Sequence, residues 1–163
     1  MYKPASLRDH LTSALPDLRR DPDKLAISIQ KGTVQATAAP GLSNLLQYTL
    51  RLLFLDYAGH VDAITVPLLA WLRRHQPELL DNPDLRARAV RFEVDFLNAK
   101  TVDLQIELDL SERVIVTEST EQPGRLDARH PVEPALLDDR PMPEHWELYL
   151  RDQLLASWDL PAS

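Results

Sequence analysis

The stretch Leu45–Leu80, LLQYTLRLLFLDYAGHVDAITVPLLAWLRRHQPELL, decides the fold. Its first half, as far as Tyr57, is the longest apolar run in the chain. Along an extended backbone Leu50, Leu52 and Phe54 fall on one face and Leu53 and Leu55 on the other. Both faces are mostly apolar, so the run predicts a central strand covered on both sides. Eleven extended residues span about 36 Å, more than a typical strand. The second half changes period. Ile64, Leu68, Trp71 and Leu72 recur at helical spacing behind Asp62, a candidate N-cap. Pro67 belongs in a first helical turn, so the helix is expected to start nearer Thr65 or to bend. A strand followed by an amphipathic helix supplies two layers of a core. It carries no chemistry of its own.

The chain has 163 residues, 44% of them hydrophobic, enough for one domain with a buried core. It has no cysteine, which excludes disulfides and thiolate metal sites and suits a reducing cytoplasm. Met1 leads directly into charged and capping residues, so no signal peptide is expected. No uncharged apolar run approaches membrane-spanning length, so no membrane partner is expected either. The net charge of −7 is uneven: +2 over residues 1–31, +1 over 32–74, and −5 over each of 75–118 and 119–163. That balance argues against a broad nucleic-acid-binding face. It fits a solvated acidic surface. It also fits head-to-tail contact between the acidic half of one copy and the weakly basic half of the next.

Working outward, Ser6-Leu-Arg-Asp9 reads as a capping box, and Leu7, Leu11, Leu15 and Leu18 follow at helical spacing. A helix from Ser6 to about Leu15 is expected, with a turn at Asp21-Pro22-Asp23. Leu25, Ile27 and Ile29 alternate, and Lys31-Gly32 can reverse the chain, which predicts a hairpin of 25–30 with 33–38. Ala39-Pro40-Gly41 then forms a loop into the long strand. A short helical turn fits Asp84–Ala89. Val90, Phe92, Val94 and Phe96 alternate with polar residues, Asn98-Ala99-Lys100 turns, and Val102, Leu104, Ile106, Leu108 and Leu110 alternate again. This predicts an antiparallel hairpin with one buried and one wet face, extended by Val114–Val116 past a bulge near Ser111-Glu112. Prolines 123, 131, 134, 141 and 143 mark an extended, poorly packed segment. Beyond it, Trp146, Leu148 and Leu150 alternate, as do Leu154, Ala156 and Trp158. A hairpin turning near Arg151-Asp152 is preferred; a helix from Glu144 to Ser157 also fits. Such an arm is expected to dock, on its own domain or on a neighbour.

Little of this resembles an active site. The four glycines, at 32, 41, 59 and 124, make no phosphate loop. Asp56, His60 and Asp62 have metal-like spacing, and a metal-dependent hydrolase there is one reading; an ordinary strand-to-helix loop is the simpler one. Asp103, Glu107 and Asp109 share one strand face, where paired carboxylates suggest hydrolysis and strict alternation suggests a solvated sheet. No Ser/His/Asp arrangement emerges from spacing. An enzyme is not expected, and no cofactor.

The blocks KPASLRDHLTSALPDL (3–18), DPDKLAISIQKGTVQAT (21–37), YTLRLLFLDYAGHVDAITVPLLAWLRRHQPELL (48–80) and RFEVDFLNAKTVDLQIELDLSERV (91–114) resemble, in this order, the tail-completion R protein (GpR) family of temperate contractile-tailed phages. HWELYL and ASWDLP give a weaker likeness near the end. The resemblance implies a structural virion protein, of a phage or a tail-like bacteriocin, that finishes the head-proximal end of the tail and enables head–tail joining. It implies a small α+β fold similar to tail terminators, with a mostly antiparallel sheet on which the N-terminal and Trp71 helices pack. It also implies a hexameric self-ring on the tail tube or sheath, contact with head–tail connector proteins, and location in the virion tail after assembly in the host cytoplasm. The alternative is a monomeric tail-assembly adaptor. The expected division is a core over 1–118, a proline-rich linker over 119–143 and an arm over 144–163. Expected partner contacts are Asp103, Glu107, Asp109, Trp146, Tyr149 and Trp158.

Overall fold

The computed structural model describes residues 1–37, 41–132 and 143–159. Leu25–Ala36 (β1) pairs antiparallel with Asn44–Tyr57 (β2), the strand predicted by the long apolar run. Val90–Phe96 (β3) and Val102–Glu118 (β4) form the expected hairpin. Its turn is closed by the Asn98 carboxamide oxygen, which accepts from the Lys100 and Thr101 amides. β4 also pairs with β2, so the sheet runs β1-β2-β4-β3 among the described residues and β2 is central. Lys3–Ala14 (α1), Pro16–Arg20 (α2) and Asp62–His75 (α3) are the main helices. Glu78–Asp81 (α4) and Pro83–Arg86 (α5) are single turns. The fold is therefore α+β, with a mostly antiparallel sheet.

The core follows from register. Tyr48, Leu50, Leu52 and Phe54 of β2 lie opposite Leu110, Leu108, Ile106 and Leu104 of β4, and all are buried. Leu7 and Leu11 of α1, with Ile64, Leu68, Trp71 and Leu72 of α3, complete the same cluster. The Trp71 indole N–H donates to the Ser6 hydroxyl at 3.1 Å, joining the two helices. The arm is the preferred hairpin, His145–Leu150 (β6) with Gln153–Asp159 (β7), turning at Arg151, whose φ is +54°. β7 packs on α1 and α3, burying Ala156 and Trp158.

Several expectations are corrected. The outward face of β2 is not covered like the inward one: Leu55 is exposed and Leu53 half-buried, and Thr49 and Arg51 precede them on the same face. Residues 25–36 are one strand, not a hairpin. The register slips by one residue between Ile29 and Lys31, leaving Gln30 as a bulge. That slip moves the inward set from Leu25, Ile27 and Ile29 to Gly32 and Val34, so one strand reads in sequence as two. α1 begins at Lys3, three residues before the apparent capping box, and Pro4 occupies its first turn. Asp62 is the first residue of α3 rather than its cap, and Pro67 lies inside the helix. No slip occurs at Ser111-Glu112, where the β2–β4 register runs unbroken. The irregularity is instead between Phe54 and Tyr57, where Asp56 has φ +48°. The proline-rich segment contributes a strand, Leu126–Arg129 (β5), paired with the far end of β4. Ala39-Pro40 of the expected loop, residues 133–142 of the proline-rich segment and the chain end from 160 lie outside the described residues.

Two histidines are held in the helical layer. His75 stacks on Trp71 at 4.6 Å between ring centroids, and His10 Nε2 donates to the Pro67 carbonyl at 3.0 Å. Burial, assisted by the charges of Arg74 and Lys3 and by His10, lowers the His75 pKa to about 4. Burial also lowers that of His10, against the opposing hydrogen bond to Pro67. An unfolded histidine titrates near 6.5, so between pH 6.5 and 4 the unfolded chain binds protons that the folded one resists. Stability is therefore expected to be flat above pH 7 and to fall as pH drops through this window. Allowing for the partial exposure of His75, that ring contributes about 1–2 kcal/mol of the loss. Thermal unfolding of the parent and of His75→Gln across this range checks it: the variant must show a shallower fall, and parallel curves refute the assignment.

Candidate interaction surfaces

Asp103, Glu107 and Asp109 project from the outward face of β4, because the inward positions are taken by its leucines and Ile106. Register brings Arg51 of β2 and Arg91 of β3 to either side of Glu107. Arg91 Nη1 lies 2.7 Å from Asp109 Oδ2, and its Nη2 lies 3.7 Å from Glu107 Oε2. The Thr49 hydroxyl donates to Asp109 at 2.7 Å, the Asp56 amide donates to Asp103 at 2.9 Å, and the Arg51 guanidinium donates to Gln105. The hydrogen bond from Arg91 holds the Asp109 carboxyl below its ordinary range. The stripe is thus a cross-strand ladder of acids and arginines. Solvent-exposed pairs of this kind contribute about 0.2–1 kcal/mol each, so its main effect is on which charges the face presents.

The arm's three aromatics separate. Trp158 is 5% exposed, set edge-on to His10, and seats β7 on α1. Trp146, opposite it in the hairpin, is half-buried against the same core. Tyr149 is 51% exposed and, with Leu154 opposite it, forms the hairpin's outer apolar surface. His145 Nδ1 lies 2.7 Å from Asp159 Oδ1 and closes the hairpin's open end; that hydrogen bond raises the imidazole pKa. The acidic stripe and the arm are not brought together: one is on the outward sheet face and the other rests on the helices.

The proposed metal-like cluster is a turn. His60 Nδ1 sits 3.2 Å from the Asp62 carboxylate, whereas Asp56 turns its amide to Asp103. Gly59 is needed there, because an added Cβ would sit 2.5 Å from the Tyr57 hydroxyl, which donates to the His60 carbonyl. Among the described residues no helix is long and apolar enough to cross a membrane.

Two features escaped the sequence. Glu112 is 3% exposed on the inward side of β4, and its carboxylate accepts from the Tyr2 and Lys3 amides at 2.8 and 3.3 Å and from the Tyr48 hydroxyl. It caps α1 from across the molecule. The signal was its phase, two residues after inward Leu110. The other feature is Phe92 and Phe96, whose alternation predicts burial but which are 67% and 82% exposed, because β3 extends past the helices' cover at the sheet edge.

Comparison with known proteins places the chain. The P2 phage tail completion protein R (GpR) family matches residues 1–134. The chain belongs to that family. Tail completion protein R of Escherichia phage P2 is 35% identical over 159 residues, spanning 98% of this chain and 99% of that protein. Tail completion proteins R are structural components of the phage tail, not enzymes. No solved structure matches the chain. The family match ends inside the proline-rich segment, while the likeness to the P2 protein continues through the arm.

Proposed function

We propose that this tail completion protein acts at the head-proximal end of a contractile tail, in a phage or a tail-like bacteriocin. There it stops growth of the tube or sheath and prepares the tail to join a head. The observation that carries this reading is the near-full-length match to a tail completion protein. Six copies form a ring on the last tail layer, assembled in the host cytoplasm and retained in the virion tail. Residues 1–118 supply the assembly core, and 119–143 link it to the arm of 144–163. Asp103, Glu107 and Asp109 face a neighbouring copy or the lumen. Tyr149, flanked by Trp146 and seated by Trp158, meets a tube, sheath or connector protein. Because Trp158 and Ala156 are buried, deleting the arm would strip the helices; Tyr149→Ala with Leu154→Ser is the cleaner way to test that contact.

Electron microscopy of particles made without this chain tests the role. Overlong tails are expected if it terminates growth. Normal tails beside unattached full heads would restrict it to joining. Unchanged, functional particles would overturn the proposal.

A further inference from the structure

We propose that β3 of one copy pairs antiparallel with β1 of a second copy, with Phe92 opposite Val34, Asp95 opposite Lys31 and Phe96 opposite Ile29, so that the sheet continues from chain to chain. Among the described residues β1 and β3 are the two edges of the sheet, and each offers unpaired backbone groups to another strand. Such edges are usually blunted, but here both carry exposed apolar side chains: Phe92 and Phe96 on β3, Ile29 and Val34 (70%) on β1.

Four independent matches identify the occupant as a second copy. The first is direction. Four successive antiparallel strands leave β1 and β3 running oppositely, so an identical sheet placed alongside meets β3 with an antiparallel β1. The second is spacing. Phe92 and Phe96 are four ladder positions apart. Val34 and Ile29 are five residues apart, but Gln30 is bulged out; on β2 they face Leu46 and Leu50, also four positions apart. The third is facing. Phe92 and Phe96 share the inward side with Ile106 and its neighbours, and Ile29 and Val34 share the inward side with Leu50 and Leu46. One register therefore sets apolar against apolar on that side. The fourth is charge. The same register places Asp95 beside Lys31 on the outward side, and Val94 beside Gly32, which has no side chain to obstruct it. A contact between two different edges is heterologous, so it closes into a ring or runs on as a filament. The contact stands on these matches; only its closure at six rests on the ring proposed above.

The chain has no cysteine, so engineered pairs report cleanly. Val34→Cys and Phe92→Cys chains, singly and combined, are oxidised with copper–phenanthroline in solution and in assembled tails. Mixing the two single variants is expected to give a disulfide-linked dimer in excess over self-linked dimers of either, and the double variant a ladder. Adding Asp95→Lys to the Phe92→Cys chain should reduce the mixed dimer, and Lys31→Asp on the Val34→Cys chain should restore it. No mixed dimer in solution or in tails overturns the contact, as does self-linking of Phe92→Cys equal to mixed linking. A ladder ending at six supports both contact and ring. A ladder that runs past six keeps the contact and refutes the hexamer.

Discussion

Replacing Trp71 with alanine is expected to lower the unfolding free energy by about 3–5 kcal/mol, the cost of emptying a large aromatic site in a packed core. Trp71 is 1% exposed and lies where α1, α3 and the sheet meet. Its ring supports His75, and its indole N–H satisfies Ser6. Small domains have about 5–15 kcal/mol in total, so this single truncation approaches global unfolding. Ser6→Ala removes only the hydrogen bond and should cost about 1 kcal/mol. Urea unfolding of both variants checks the pair. A loss below about 1 kcal/mol for the alanine variant at Trp71 would show that the helical layer is not packed there.

Replacing Glu112 with alanine is expected to cost about 3 kcal/mol, because it strands three buried or half-buried donors at once. The Tyr2 and Lys3 amides lose their acceptor, as does the Tyr48 hydroxyl. The carboxylate also sits at the positive end of α1, where a negative charge is favoured. Burial alone would raise its pKa; the Tyr2 amide, Tyr48 and the Lys3 amide outweigh this and hold it below the ordinary value. Its stabilisation is therefore complete above the unfolded carboxyl pKa of about 4.3 and is lost as pH falls through the folded value. Glu112→Gln keeps the shape and removes the charge, so about 1–2 kcal/mol is expected. Amide exchange should accelerate selectively in the first turn of α1. Unchanged exchange in that turn would refute the cap.

The long apolar run announced β2, and strict alternation announced the β3–β4 hairpin, since both periods are local properties of the chain. Where the reading failed, pairing or cover decided what local periodicity could not. The polar Glu112 at an inward position reads as a slip of register because nothing nearby explains it; its partners lie 64 to 110 positions away in sequence. Gln30 hid the continuity of β1, since a bulge inverts the inward set just where Lys31-Gly32 resembles a turn. Phe92 and Phe96 looked buried because alternation defines a face and not what covers it. The acids of the stripe are visible in sequence, but not Arg51 and Arg91, which only register places on either side of them. The spacing of Trp146, Tyr149 and Trp158 suggests a docking arm, and only packing separates the residue that seats the hairpin from the one that faces outward.

The cap on α1 also sets a schedule. A ribosome adds about 5–20 residues each second, so the first helical turn waits several seconds after Tyr2 emerges before Glu112 can reach it. Short helices are marginal alone in water, and α1, at 12 residues, is short. Until residue 112 has been synthesised, the N-terminus has no acceptor to close on, and β1 and β2 lack the β4 strand that completes their core. The nascent chain therefore cannot present finished edges early. The capped, fully paired state arrives late, when most of the polypeptide is already made.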